Sequence, residues 1–233
     1  MNDNMPDVPS ISGPTPVMQT WMKALTKPSE QTFVEIASSP NAKATTAYLW
    51  VFVASLIQAF LIALVQSRLV ATYMEQYGVG GNFGNGGVAS TLIGAICGAP
   101  ILAALTTLFF ALGVFVIQWI AKMFGGRGTS DQLAYTLAAI VAPFSIVAGI
   151  ISLFSAIPLV GLCFSAILSI AGIYVFVLEV LAVKAVNQIS LGAAIGSLLI
   201  PGLVISFLCA CLIGVSMAVL VPFIQQSSPN FTP

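Results

Sequence analysis

An acidic side chain, Glu179, lies inside a long apolar segment of the sequence. A carboxylate within a membrane-spanning helix is costly to bury and is a functional candidate by default. Lys184 follows five residues later, about 140° around a helix, so the two would make a poor intrahelical pair. We expect Lys184 to extend to the headgroups. Glu179 is then either a polar anchor, satisfied by another helix or by water, or a contact for an ion or substrate.

Two prolines interrupt apolar segments and could shape a path through a membrane. Pro100 and Pro143 each withhold a backbone donor and free a carbonyl group one turn earlier in a helix. Breaks of this kind mark transporter sites when they occur in matched halves of a chain. The two halves of this sequence share no similarity, which favours the alternative interpretation of plain helix kinks.

Arg127 lies in a glycine-rich turn, residues 125–130, that resembles a phosphate-binding loop only in its glycines. The lysine that precedes serine or threonine in such a loop is missing. Thr129, followed three residues later by Gln132, instead matches a capping box. The turn is therefore interpreted as the start of a helix, and Arg127 is kept as a candidate functional or structural polar residue.

Other residue types exclude whole classes of function. There is no histidine, and the four cysteines lie in apolar segments without a CxxC pair, so no metal site is predicted. No pair of carboxylates lies close together within an apolar segment. The net charge is zero and the seven cations are scattered, unlike those of a nucleic-acid-binding surface. The sequence predicts no enzyme, no catalytic residue, no cofactor and no nucleic-acid partner.

The composition indicates that these residues belong to a membrane protein. Of 233 residues, 58% are hydrophobic and only 6% are charged. In soluble domains about a quarter of the residues are charged. A helix needs about 20 apolar residues to cross the hydrocarbon layer. We therefore predict an all-α integral membrane bundle of five transmembrane helices, at residues 45–66, 92–121, 130–155, 162–184 and 193–223.

The parts outside the spans have their own signatures. Residues 1–16, rich in proline, are predicted to be a disordered tail, and residues 17–43 a cytoplasmic interfacial segment before the domain of residues 44–223. Residues 224–233 are predicted to form a short non-cytoplasmic tail.

Apolar residues at helical spacing predict an amphipathic helix at 17–25, which would lie among the headgroups, and a second short helix at 33–37. The membrane-interface anchors of the amphipathic helix would be Trp21, Lys23 and Lys27.

Lysine and arginine set the predicted orientation. If the N-terminus is cytoplasmic, six of the seven cations fall on the cytoplasmic side, and only Arg68 falls on the other. Such a bias is typical of multi-pass membrane proteins. It predicts that the C-terminus lies on the opposite side of the membrane. If the source is prokaryotic, that membrane is the cell membrane.

Several short motifs occur in a familiar order. They are Trp21, Pro28 and Phe33 before the first span, Gly125-Gly126-Arg127-Gly128-Thr129 before the third, Ala142-Pro143 within it, Ile157-Pro158-Leu159-Val160-Gly161 after it, and residues 174–190 closing the fourth. In this order the sequence resembles the Yip-domain family over about residues 21–223. The resemblance implies five spans, a cytosolic N-terminus and a C-terminus on the far side.

The resemblance also bears on partners. Eukaryotic members of the family are named for interaction with Ypt/Rab GTPases, but the acidic, aromatic segment that they carry before the first span is absent here. A Rab-type GTPase is therefore a partner by family analogy only, and the short chain is similar to prokaryotic members. We predict a non-enzymatic protein that contacts the lipid bilayer and other membrane proteins or itself. The alternative is a small transporter or channel that uses Glu179 and the proline-kinked helices.

Overall fold

The computed structural model describes the backbone of residues 17–76, 87–156 and 158–204. All regular elements in this part of the chain are helices, as predicted. They are α1 (Val17–Thr26), α2 (Glu30–Ala37), α3 (Ala44–Gln76), α4 (Gly87–Met123), α5 (Ser130–Ser152), a 3-10 turn (Leu153–Ala156), α6 (Pro158–Asn187) and α7, described over Leu191–Val204.

Within the described part of the chain, four helices are long and apolar enough to cross a membrane. Their candidate spans are Ala44–Ala63, Ala95–Met123, Ser130–Ser152 and Val160–Asn187. The chain is thus a multi-pass helical membrane bundle. Helix α7 is a shorter apolar helix at the position of the predicted fifth span, whose residues 205–223 lie outside the described part of the chain.

Helices α3, α4 and α6 extend beyond their predicted spans, whereas α5 ends at Ser152 and not at residue 155. Helix α3 continues to Gln76 and α4 begins at Gly87, because backbone hydrogen bonding carries a helix beyond the apolar window that predicts a span. The six glycines and two asparagines of residues 78–87 predict a loop; residues 78–86 lie outside the description, and Gly87 begins α4. Helix α6 already begins at Pro158, so the connection between α5 and α6 begins and ends earlier than the gap between the third and fourth predicted spans.

Local capping explains where several helices begin. Thr129 accepts a hydrogen bond from the Gln132 amide while the Gln132 side chain accepts one from the Thr129 amide, which confirms the predicted capping box of α5. Ser29 caps α2, and the Ser190 hydroxyl accepts a hydrogen bond from the amide of Ala193 at the start of α7. Gln188, with a φ of 55°, ends α6 in the left-handed conformation.

The tightest packing lies at one end of the bundle, here called the basal end. It comprises α1, α2, the starts of α3 and α5, and the ends of α4 and α6. The first turns of α5 are surrounded on every side there, and all eight side chains from residue 133 to residue 140 are buried. Helices α1 and α2 contact α5, and α2 also contacts α6, so the N-terminal helices cover this core.

Away from the basal end, α4 is the most exposed of the long helices. A groove of about 340 Å³ opens between α3 and α4, and all its lining residues are apolar: Leu56, Ile57, Phe60, Leu61, Ala95, Ile96, Ala99 and Pro100. Pro100 therefore lines an apolar surface, such as lipid chains would cover.

Candidate functional site

Three aromatic rings pack together at the centre of the basal end. The Trp50 ring of α3 lies 4.8 Å from the Tyr135 ring of α5 and 5.8 Å, edge to face, from the Trp21 ring of α1. The Tyr135 hydroxyl is hydrogen-bonded to the side chains of Thr20 and Ser39. Aromatic pairs at these separations add stability beyond simple burial. The cluster therefore joins α1, α3 and α5 into one packed unit.

Polar contacts fasten the α1–α2 pair to the side of α6. The Tyr174 hydroxyl donates to the carbonyl of Leu25 over 2.7 Å, and the Lys184 ammonium lies 2.6 Å from a carboxylate oxygen of Glu30. Within the pair, Lys23 of α1 bridges to Glu35 of α2. These ion pairs are partly exposed, so each contributes little on its own. Their role is to set the position of two short helices that already pack against α5.

A buried polar junction fixes the turn between α4 and α5. The Gln118 amide nitrogen donates to the Gly128 carbonyl over 2.6 Å and to the Asn187 side-chain oxygen over 2.9 Å. The backbone amide of Arg127 donates to the carbonyl of Asn187 over 3.1 Å. The junction thereby joins the end of α4, the turn and the end of α6.

Glycine is required where this turn approaches α6. A methyl group added at Gly128 would lie 2.6 Å from the Val186 carbonyl oxygen and 2.9 Å from the Asn187 side-chain oxygen. Gly125 has a φ of 87°, a conformation that other residues rarely adopt. Gly128 therefore serves the close approach to α6, and Gly125 the left-handed conformation of the turn.

A family model supports the architecture. The model described as the Yip1 domain matches residues 22–214, most of the chain. The chain belongs to the Yip1 domain family. The resemblance found in the sequence is thereby confirmed. No curated protein and no solved structure matches the chain.

The candidate polar residues of this Yip1-domain protein do not converge on one point. Lys184 is paired with Glu30 of α2, where extension to the headgroups was expected. The sequence could not reveal this pair because its partners lie in helices distant along the chain. Arg127 is exposed on the α4–α5 turn, and Pro143 lies partly buried in α5.

Glu179 lies partly buried on α6. Within the part of the chain that the structure describes, its carboxylate meets no hydrogen-bond or ionic partner. The predicted contact between the Glu179 carboxylate and a polar group of another helix is therefore not observed among those residues. A transport path past Glu179 would need further polar groups, such as Gln132, Tyr135 or Ser145. The first two are engaged elsewhere, since Gln132 caps α5 and Tyr135 belongs to the aromatic cluster.

The predicted membrane anchors occupy different positions. Lys27 is exposed, whereas Lys23 is paired with Glu35. The Trp21 ring packs against Trp50, and its indole nitrogen is buried without an acceptor among the described residues. The apolar residues that α1 exposes are Val17, Met18 and Met22. Anchoring of this segment in the membrane stays a prediction, and these three side chains are the ones available for it.

Sequence reasoning missed the residues of the polar junction. Gln118 is only 2% exposed although it is polar, and Asn187, which lies beyond the predicted fourth span, is the last residue of α6. A signal was available, because an amide side chain inside an apolar segment needs a partner. Its partner could not be deduced, since the two residues are 69 positions apart.

Proposed function

We propose that this protein is a non-enzymatic membrane protein that acts by associating with other membrane proteins through its basal end. The observation that supports the proposal is that the polar side chains of the basal end make structural contacts. Gln118, Asn187, Gln132 and Tyr135 all hold helices or turns in place. These contacts hold the basal end as a fixed platform. Its outer surface, and not an internal site, is available to contact a partner.

The outer face of this platform suits a protein partner. Met18 is 67% exposed, and Val17, Met22 and Val34 are also exposed. Methionine is flexible and polarizable, so methionine-bearing faces adapt to partners of differing shape. The face is carried by α1 and α2, whose positions are fixed by the aromatic cluster and the contacts with α6. Membership of the Yip1 domain family is consistent with this role.

Site-specific photo-cross-linking in native membranes tests the proposal. We expect a benzoylphenylalanine at Met18 to give adducts of protein size that mass spectrometry assigns to a small, reproducible set of membrane proteins, including this chain if it self-associates. Phe109, which is 63% exposed on α4, is the matched control and should give few such adducts. Equal protein adducts at both positions, or lipid adducts alone at Met18, would contradict the proposal.

The proposal includes an orientation, with the basal end in the cytoplasm, supported by the six cations predicted to lie on that side. Cysteine labelling with an impermeant reagent tests it after the native cysteines are replaced by serine. Lys43→Cys should react only from the cytoplasmic side and Gly84→Cys only from the other. The reverse pattern would show that the orientation is wrong.

A small transporter or channel is the second candidate, and Glu179 is the observation that favours it. A carboxylate that lies partly buried in a span, without a partner among the described residues, is typical of ion-coupled sites. This candidate requires a polar path past Glu179. Proton and cation flux through the protein in liposomes separates the two functions.

A further inference from the structure

Two cations lie where α4 ends: Lys122 in its last turn and Arg127 in the turn that leads to α5. Lys122 and Arg127 are exposed, and neither forms an ion pair within the described residues. By contrast, Lys23 and Lys184 at the same end of the bundle are both paired. Asp131, in the first turn of α5, is the acidic residue nearest in sequence, and it forms no ion pair with either cation.

These cations follow directly after a lipid-facing surface. Helix α4 exposes an apolar series along its length: Ile96, Ile101, Leu102, Leu105, Leu108, Phe109, Leu112 and Phe115. The series ends in Trp119, which is 60% exposed, and Met123. Tryptophan favours the boundary between acyl chains and headgroups. Lys122 and Arg127 therefore lie at the level of the headgroups.

The polar junction holds Arg127 in a fixed position. Its backbone amide donates to Asn187, and the Gly128 carbonyl beside it accepts from Gln118. Gly126 and Gly128 pack closely against Asn187. A cation on a rigid turn loses less conformational freedom on binding than one on a flexible loop.

The backbone of the turn is not itself an anion site. The amides of four of its residues already donate to acceptors within the protein: Gly125, Gly126, Arg127 and Thr129. These four amides are therefore not free to donate to a phosphate, as the amides of a phosphate-binding loop are. Binding of an anion must therefore rest on the two side chains, with Trp119 and Met123 available for an attached apolar chain.

We propose that Lys122 and Arg127 bind the phosphate headgroup of an anionic phospholipid, whose acyl chain lies against Trp119. The neighbouring apolar surface makes a lipid, and not a soluble phosphate, the ligand. The proposal rests on embedding in a bilayer and is independent of the proposed association with proteins. A failure of either one would leave the other standing.

Quenching of Trp119 by brominated lipids provides the test. The full chain is reconstituted with brominated phosphatidylglycerol in phosphatidylcholine, or with the labels exchanged, and the difference between wild type and Trp119→Phe isolates the Trp119 signal. We expect phosphatidylglycerol to be enriched beside Trp119 on the order of fivefold or more, given the attraction of each cation to an anionic surface. The enrichment should fall close to one in the Lys122→Gln/Arg127→Gln variant.

Three comparisons keep the result interpretable. The Lys43→Gln variant removes a cation from an exposed position at the same end and should keep the enrichment. On the wild type, raising the salt from about 0.1 M to about 1 M should remove it, because screening shortens the range of the attraction. Inorganic phosphate at equal ionic strength should displace no lipid. Absence of enrichment in the wild type, or equal loss in the Lys43→Gln and Lys122→Gln/Arg127→Gln variants, would overturn the proposal, as would displacement by inorganic phosphate.

Discussion

We expect Trp50→Ala to lower the free energy of unfolding by about 3 to 5 kcal/mol. Trp50 is 8% exposed and touches both Trp21 and Tyr135, so truncation leaves a cavity where α1, α3 and α5 meet. In lipid the loss comes from missing packing contacts more than from exposure to water. The measurement is thermal unfolding in detergent, followed by the loss of monodisperse protein on size exclusion.

Trp119→Ala is the matched control for this prediction. The same side chain is removed from a position on α4 that is 60% exposed and belongs to no ring cluster in the described part of the chain. We expect a change of about 0.5 kcal/mol or less, as for most exposed positions. If the two variants unfolded at the same temperature, the aromatic cluster would not hold the basal end together.

Gly128→Ala should destabilise the protein by about 3 kcal/mol, an unusually large effect for one added methyl group. The methyl group would lie 2.6 Å from the Val186 carbonyl oxygen and 2.7 Å from a Val186 methyl carbon. Relief requires the turn to move away from α6, which breaks the hydrogen bonds made by Gln118 and the Arg127 amide. Thermal unfolding measures the loss.

Gly113→Ala is the corresponding control within α4. An added methyl group would meet nothing within 4 Å, and alanine favours a helix over glycine by up to about 1 kcal/mol. We therefore expect no loss of stability and at most a small gain. A Gly128 variant as stable as the Gly113 variant would show that the turn does not pack against α6 as described.

The sequence predicted the elements well because their causes are local. Uncharged segments of sufficient length predict membrane helices, and Thr129 with Gln132 marked the start of α5 to the residue. The short helices α1 and α2 followed from apolar spacing. The order of motifs identified the family, which the match over residues 22–214 confirmed.

Contacts between helices could not be predicted in the same way. They depend on the rotation of each helix about its axis, which a nearly uniform apolar segment does not specify. Lys184 and Glu30 are 154 positions apart, so the sequence suggested headgroups where the structure has an ion pair. For Trp21, the amphipathic pattern indicated an apolar face but not whether lipid or protein covers it. In the structure, the ring of Trp50 packs against the ring of Trp21.

The central claim is that the buried polar groups of this protein hold its helices together and carry no substrate. Proton and cation flux into liposomes reconstituted with wild-type protein tests it most directly, with Glu179→Gln as the comparison and thermal unfolding as a check on folding. Because Gln132 and Tyr135 are engaged in structural contacts, we predict no flux above that of empty liposomes, for wild type and variant alike. A flux through wild-type protein that vanishes in Glu179→Gln, at an unchanged unfolding temperature, would contradict the account, since neutral glutamine cannot exchange a charge.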